Sequence, residues 1–234
     1  DNPGLAAMNE NLDEGIGIIL DKIEEWDLTN NTYIIYTSDN GSVPTVPARR
    51  NYDKSINYPL SRGKWDAMEG GIRVPFIVSG PKVKAIECKV PVVGYDLLPT
   101  IIDIVNSDFI PKENIDGGSF KNILFGDGKG TVKRSNDGLI FHVPYENKIA
   151  LNRAHSSIIL DNYKLIKFRD NNELNLFDLD SDISEKIDIS DLNPEITNLL
   201  ESNLENYLQD VNSLKWKKGI NWKNIDIKKV NSFY

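Results

Sequence analysis

The spacing of hydrophobic residues first predicts a long amphipathic helix near the start of the chain. Between Gly4 and Trp26, apolar residues recur at steps of three and four, and acidic residues occupy many of the other positions. The apolar positions of this repeat are Leu5, Met8, Leu12, Ile16, Ile19 and Ile23. Because such a stripe is normally buried against another layer, we expect this helix to face the protein core.

A short apolar run follows the helix and ends abruptly in polar residues. Residues 33–36 read Tyr-Ile-Ile-Tyr and residues 37–41 read Thr-Ser-Asp-Asn-Gly, which is typical of a buried parallel strand that presents polar side chains at its carboxyl end. Ligands bind at that end of open α/β sheets. Asp39 and Asn40 offer oxygen donors suited to Ca²⁺ or Mg²⁺, although the same residue types also favour a plain turn.

The second half of the chain has the alternating pattern of an antiparallel sheet. Strand-like segments occupy residues 138–143, 156–160, 163–168 and 173–178. Turn-forming residues at 161–162 and 170–172 predict hairpins between the last three strands. From Glu195 to Val211, apolar residues at helical spacing predict a helix that covers the apolar face of this sheet.

Two further elements lie between these regions. A strand is predicted at 76–79, and a helix from Leu97 to Val105 with Asp96 as its cap. A stretch rich in glycine and proline comes next. We therefore predict an α/β part over residues 1–106, a bridge over 107–137 and a small α+β subdomain over 138–234.

Charge and composition narrow the classes of partner. The 234-residue chain has a net charge of −8 and 40% hydrophobic residues, enough to bury a core. An acidic chain is unsuited to nucleic acid, which requires clustered Lys and Arg, and no segment predicts membrane insertion. The single cysteine, Cys88, excludes an internal disulfide framework, and we expect it to be a buried packing residue.

A group of motifs extends the polar segment at 38–41. Residues 59–64 read Pro-Leu-Ser-Arg-Gly-Lys and residues 69–76 read Glu-Gly-Gly-Ile-Arg-Val-Pro-Phe. This order resembles the sulfatase family of the alkaline phosphatase superfamily. The resemblance continues through 97–100, 116–117, 163–166 and 175–179. It therefore covers almost the whole chain, with one local departure where Ser61 and Arg62 replace the usual Arg-Gly.

The resemblance implies both a fold and a site. The fold is an α/β alkaline-phosphatase-like sheet with flanking helices, present here in part, plus a small C-terminal antiparallel sheet packed on a helix. Asp39 and Asn40 are implied as calcium ligands, with Mg²⁺ as an alternative, and Lys64 as the residue that reaches the sulfate and leaving-group oxygens. Physical chemistry agrees, because a cation and an ammonium stabilise charge that develops on those oxygens. Glu69 and Arg73 are expected to form a structural pair.

The nucleophile implied by the resemblance is absent from the predicted site. Family members use a formylglycine made from Cys or Ser in a Cys/Ser-x-Pro/Ala-x-Arg motif, and Cys88 stands in Cys-Lys-Val-Pro-Val, which does not match. We therefore predict that the chain is the C-terminal portion of a sulfatase, that the formylglycine lies in a missing N-terminal segment, and that this chain alone is inactive.

Candidate substrate contacts come from the polar loop at 42–58 and from isolated residues. Arg49, Arg50 and Tyr52 are chosen because Arg forks match sulfate oxygens and an aromatic ring can stack on a sugar. Arg62 and His142 are further candidates. Either histidine, His142 or His155, could bind sulfate when protonated. The alternatives are that the loop is a plain surface insertion and that both histidines make structural hydrogen bonds.

These expectations combine into one function with two alternatives. The predicted parent enzyme is a periplasmic or secreted hydrolase of sulfate esters, with a sulfated small molecule or glycan as substrate. A phosphatase or phosphonate hydrolase of the same superfamily is one alternative, since phosphoryl and sulfuryl groups require the same positive site. A non-catalytic glycan-binding domain is the other.

Overall fold

The computed structural model describes residues 3–43, 56–105, 109, 115–146 and 153–218. In chain order, its elements are helix α1 (Pro3–Glu25), strand β1 (Ile34–Thr37), helix α2 (Glu69–Ile72), strand β2 (Phe76–Ser79), helix α3 (Leu97–Ile104), helix α4 (Lys121–Phe125), strands β3 (Leu139–Val143), β4 (His155–Leu160), β5 (Tyr163–Phe168) and β6 (Leu174–Asp178), and helix α5 (Pro194–Asp210). Every helix and strand bounded above from the sequence is present, within a few residues of its predicted ends.

The chain divides into two compact units. The first takes its described residues from Asp1–Thr37, Pro75–Glu113 and Gly117–Val132, and the second from Ser38–Val74, Asn114–Asp116 and Lys133–Tyr234. In the part of the chain that is described, no helix is both long and apolar enough to cross a membrane. The mixed α/β class with two antiparallel sheets agrees with the predicted fold class.

The first unit corrects two expectations about its elements. Strand β1 pairs antiparallel with β2, from Ile34 opposite Ser79 to Thr37 opposite Phe76, and it is only partly buried. The prediction of a buried parallel strand is therefore wrong for this pair, because an apolar run does not specify the direction of its neighbour. Helix α1 buries none of its side chains, and Met8 is 69% exposed. The periodicity located the helix, but most of its apolar stripe is exposed, and only Leu5, Ile16 and Ile23 of the predicted stripe are half-buried.

The region around α3 in the first unit is tied together by Asp96, although not as a cap. Its carboxylate accepts the N–H groups of Val93 (2.9 Å) and Gly118 (3.0 Å), and it makes no capping bond to α3. Asp96 is fully buried. The predicted cap is thus a junction between segments before and after α3, which local sequence cannot reveal. Cys88 is exposed, contrary to expectation, and its thiol donates to the Gly128 carbonyl at 3.1 Å.

The second unit is built on a four-stranded antiparallel sheet in the order β3-β4-β5-β6. Successive hairpins set its register, with Leu160 opposite Tyr163 and Tyr163 opposite Asp178. Helix α5 covers one face, as predicted. Its Leu side chains pack with one side of the central strands in a cluster of Ile158, Leu165, Leu176, Leu200, Leu204 and Leu208. Pro194 begins α5 at a position where no helical hydrogen-bond donor is lost.

Candidate functional site

The second face of the sheet carries the segment that contains Lys64. Because side chains alternate along a strand, Ile166 and Phe168 point away from α5. They form a small cluster with Phe177 and Met68. The segment from Lys64 to α2 therefore lies on a sheet built almost a hundred residues later in the chain.

A buried histidine holds this segment by its backbone. The Ala67 N–H donates to Nε2 of His155 at 2.9 Å, and Nδ1 of the same ring lies 2.8 Å from the Arg153 carbonyl oxygen. Because Nε2 accepts and Nδ1 must donate to a carbonyl, the ring is the neutral Nδ1–H tautomer. His155 is 1% exposed, and burial lowers its pKa below the ordinary value against the opposing effect of the Arg153 carbonyl.

A buried ion network holds the same segment two residues further on. Nζ of Lys164 lies 3.0 Å from Oε1 of Glu69 and 2.7 Å from Oε1 of Glu185. The contact with Glu185 is a fully buried ion pair. Oε2 of Glu185 accepts the Glu69 N–H at 2.8 Å, and Arg73 pairs with Oε2 of Glu69 at 2.6 Å. The expected Glu69–Arg73 pair is thus part of a larger network.

The two carboxyls of this network titrate in opposite directions. Burial alone would raise the pKa of Glu69, but Lys164 and Arg73 outweigh it and hold that pKa below the ordinary value. Burial raises the pKa of Glu185, and Lys164 offsets only part of that effect. Lys164 contacts both carboxyls, and Glu69 is also paired with Arg73. This additional cation explains why the two pKa values move in opposite directions.

Glycines bring the Asp39 and Lys64 segments side by side. The Gly41 N–H donates to the Gly71 carbonyl, and the Lys64 N–H to the Ser42 carbonyl, both at 2.9 Å. A Cβ added to Gly41 would lie 1.7 Å from the Gly70 carbonyl oxygen, and one added to Gly71 would lie 2.1 Å from that of Asp66. Only glycine permits backbones to approach so closely, so this packing depends on residues without side chains.

Asp39 and Asn40 present oxygen donors at this junction. Asp39 is exposed and lies 3.5 Å from the Ser38 hydroxyl, while Nδ2 of Asn40 donates to the Gly41 carbonyl at 3.0 Å. With its nitrogen engaged, the Asn40 amide offers Oδ1 to a cation. Two hard oxygen ligands fit Ca²⁺ or Mg²⁺ chemically but fall short of a full set. The described residues contain no group of three or more His, Cys, Asp or Glu placed to hold a metal.

Lys64 and Arg62 differ in how they are engaged. Lys64 is half-buried, and its ammonium lies 5.6 Å from the centre of the Trp65 ring. Arg62 pairs through Nε with the buried Asp66 carboxylate at 2.7 Å, and its carbonyl accepts from Asn57 at 2.8 Å. Arg62 is therefore held by Asp66 at the position where the sequence departs from the motif, while its side chain remains partly exposed.

His142 lies on the opposite face of the sheet from the Lys64 segment. On β3, its Nδ1 lies 2.6 Å from the Ser156 hydroxyl and its Nε2 lies 2.8 Å from the Leu214 carbonyl, beyond α5. Burial lowers its pKa. Both ring nitrogens are engaged within the fold, so the structure does not bring His142 together with Asp39, Asn40 and Lys64. Arg49, Arg50 and Tyr52 lie outside the described residues.

Sequence reasoning missed the role of Lys164 and Glu185. A signal for Lys164 was present, because it interrupts an apolar strand and a lysine in a strand core needs a buried partner. The identity of that partner was not encoded locally, since Glu69 is 95 residues away. Glu185 follows the sheet in a segment that has no periodic pattern.

Two family models and several known proteins match this chain. The family described as Sulfatase matches residues 5–107, and the family described as N-sulphoglucosamine sulphohydrolase, C-terminal, matches residues 63–213, more than half of the chain. Human steryl-sulfatase is 32% identical over 136 residues, covering 57% of this chain and 23% of the relative. N-acetylgalactosamine-6-O-sulfatase of Bacteroides thetaiotaomicron is 27% identical over 207 residues, covering 83% and 40%. The chain thus spans well under half the length of these relatives.

Solved structures share the fold. One, solved with the substrate D-glucosamine-2-N,6-O-disulfate, has a TM-score of 0.66 and 24% identity, covering 84% of this chain and 38% of that chain. Another, solved with a neocarrahexaose, has a TM-score of 0.68 and 23% identity, covering 94% and 44%. A phosphonate monoester hydrolase from Silicibacter pomeroyi has a TM-score of 0.55 and 18% identity, covering 85% and 38%.

Proposed function

Because the chain belongs to the sulfatase family, we propose that it is the C-terminal portion of a sulfuric ester hydrolase that acts on sulfated carbohydrates. One observation supports the proposal most directly: the Lys64 N–H bonds to the Ser42 carbonyl, which joins the lysine motif to the segment with Asp39 and Asn40. The backbones that carry the lysine and the two proposed metal ligands are thereby joined, although the two motifs are separate in the sequence.

The chemistry assigned to these residues is electrostatic. Lys64 donates hydrogen bonds to the sulfate and leaving-group oxygens, where negative charge grows as the ester bond breaks. Asp39 and Asn40 contribute two oxygen ligands to Ca²⁺, or to Mg²⁺ as the alternative. When bound, the cation adds positive charge beside the sulfate oxygens.

The nucleophile is proposed to be a formylglycine in the rest of the enzyme. Cys88 lacks the motif and is bonded to Gly128, so no thiol of this chain serves as its precursor. The chain alone therefore binds and orients the ester but does not cleave it. We assign residues 1–106 to the catalytic α/β part, 107–137 to a bridge and 138–234 to the C-terminal subdomain.

The substrate class follows from the relatives. The bacterial relative is named for a sulfated amino sugar, and one structural neighbour was solved with a disulfated glucosamine. Arg49, Arg50 and Tyr52 are the proposed contacts to sulfate and sugar, since guanidinium groups bind sulfate oxygens in pairs. Arg62 and His142 are left out of this set because Asp66, Ser156 and Leu214 engage them. Sulfated glycans occur outside the cytoplasm, so we propose a periplasmic or secreted enzyme.

The test is turnover of an aryl sulfate and an aryl phosphate by the longer enzyme that contains this chain. Lys64→Met should lower kcat on the sulfate by roughly 10²- to 10³-fold, because it removes one charged donor to the transition state. Lys84→Met, at an exposed lysine in the first unit, is the matched control and should leave kcat unchanged.

Three outcomes would overturn the proposal. Preference for the phosphate would make the protein a phosphatase or phosphonate hydrolase; one structural neighbour is a phosphonate monoester hydrolase. Unchanged turnover in Lys64→Met would remove the lysine from the chemistry. Absence of turnover, with glycan binding that Asp39→Ala leaves intact, would make the chain a non-catalytic glycan-binding domain.

A further inference from the structure

Two buried side chains of the sheet fix the Lys64 segment without facing the proposed substrate. His155 accepts the N–H of Ala67, and Lys164 pairs with Glu69, three and five residues after Lys64. We propose that His155 and Lys164 are positioning residues that determine where Lys64 presents its ammonium. The catalytic part of this inference rests on the proposed function, whereas the placement of the segment does not.

The His155 contact is specific to one protonation state. The Nδ1–H of His155 donates to the Arg153 carbonyl, so Nε2 is left as an acceptor facing the Ala67 N–H. A second proton on the ring would place an Nε2–H donor opposite the Ala67 N–H donor, and the hydrogen bond would be lost. The charged groups that act on this ring are Asp66, Lys164 and Arg62, and the Phe168 ring lies 6.3 Å away. Neutral His155 therefore holds the segment, and protonated His155 releases it.

The Lys164 contact fixes both the backbone and the side chain of Glu69. The Glu69 carboxylate meets Lys164 and Arg73, and its N–H meets the carboxylate of Glu185. Lys164 and Glu185 are fully buried and Glu69 is 2% exposed at its side chain. A substitution that removes the Lys164 ammonium takes away the cation that Glu69 and Glu185 share, and it should weaken the hold of β5 on α2.

Together these contacts determine the geometry of Lys64. On its N-terminal side, Lys64 is held through its own N–H by Ser42. On its C-terminal side, Ala67 and Glu69 are anchored to β4 and β5. A misplacement of about 1 Å in a group that contacts reacting atoms costs roughly a hundredfold in rate. The sheet thus holds Lys64 with a precision that the Lys64 loop lacks by itself.

The first test is hydrogen exchange at the Ala67 amide in this 234-residue chain. His155→Leu removes the acceptor and keeps the bulk, and should speed exchange about tenfold, as expected for loss of one buried hydrogen bond. His155→Gln retains an acceptor oxygen and should restore most of the protection. His142→Leu removes a histidine from the other face and should leave Ala67 unchanged. Equal exchange in parent and His155→Leu would overturn the proposal.

The second test is turnover of an aryl sulfate by the longer enzyme. His155→Leu should lower kcat by a larger factor than it raises KM. His155→Gln should recover kcat. Because glutamine does not titrate, this variant should also lack the fall in rate at acidic pH that protonation of His155 causes in the parent. Lys84→Met should match the parent. If the parent enzyme fails to turn over sulfate, the proposed function falls and the exchange result decides the placement. If the parent is active and His155→Leu is equally active, the positioning role is wrong.

Discussion

The two faces of the β3–β6 sheet are covered in different ways. Toward α5, the central strands present Ile158, Leu165 and Leu176 to leucines of the helix. Toward the Lys64 segment, the same strands present His155, Ser157 and Lys164, all fully buried, beside the small apolar cluster that contains Met68. The apolar face gains stability from burial that tolerates variation in detail. The polar face gains a defined position, because each buried polar group requires one particular partner.

The largest expected effect breaks the polar face at Lys164. Lys164→Met should destabilise the chain by about 3–5 kcal/mol, since it leaves the carboxyls of Glu69 and Glu185 buried without their shared cation. Urea unfolding followed by circular dichroism measures this loss.

Lys167 provides a matched control on the same strand. It points to α5 and pairs with the partly exposed Glu201 (2.7 Å) and Glu205 (3.1 Å). Lys167→Met should cost only about 1 kcal/mol, because its carboxylate partners Glu201 and Glu205 are partly exposed and stay hydrated without it. Equal losses for Lys164→Met and Lys167→Met would mean that the two faces do not differ in this way.

The next effect breaks the apolar face at Leu204. Leu204 is fully buried, and Leu204→Ala should cost about 3 kcal/mol because it leaves a cavity between α5 and the sheet. Leu199→Ala on the same helix, at a residue that is 53% exposed, should cost well under 1 kcal/mol. Below the unfolding transition, Leu204→Ala should keep normal exchange at Ala67, whereas a loss of protection there would show that the faces are coupled.

How well each face can be predicted from the sequence depends on whether its contacts are local in the chain. Alternation, hairpin turns and the leucine repeat are local signals, and they located β3 to β6 and α5. The partners of Lys164 and His155 are not local, since the Ala67 N–H reaches a ring 88 residues away. The proposed site residues Asp39, Asn40 and Lys64 came from a motif, while the glycine packing that joins their segments required coordinates.

A smaller effect is the pH dependence of stability that His155 causes on the face toward the Lys64 segment. The pKa of His155 in the folded chain is below its ordinary value of 6.5, so the unfolded chain binds more protons in the interval between the two. Stability is therefore full above about pH 6.5 and falls as the pH drops toward the folded pKa. His155→Gln should reduce this acid loss in urea titrations between pH 7 and 5.

The second histidine is a control for this titration. The pKa of His142 is also lowered by burial, so His142→Gln should remove its own share of the acid loss. It should not change the pH dependence of Ala67 exchange. If both variants change that exchange alike, the titration does not act through the Ala67 contact.

The smallest effect is a difference of tautomer with no change in stability. The contact of His155 with the Ala67 N–H requires the Nδ1–H form, whereas the contact of His142 with the Leu214 carbonyl requires the Nε2–H form. Nitrogen-15 NMR of the imidazole rings at pH 8 should therefore show one histidine of each kind. Two rings of the same form would contradict the hydrogen bonds on one of the faces.

The second unit is built from separate stretches of the chain, and this has a consequence for synthesis in the cell. Its described residues come from Ser38–Val74 and again from Lys133–Tyr234, so the Lys64 segment leaves the ribosome before the sheet that anchors it exists. At ordinary elongation rates of about 5–20 residues per second, the 88 residues between Ala67 and His155 impose a delay of roughly 4 to 18 s. During that interval the apolar side chain of Met68 has no sheet to pack on, and the nascent segment is a substrate for chaperones and proteases.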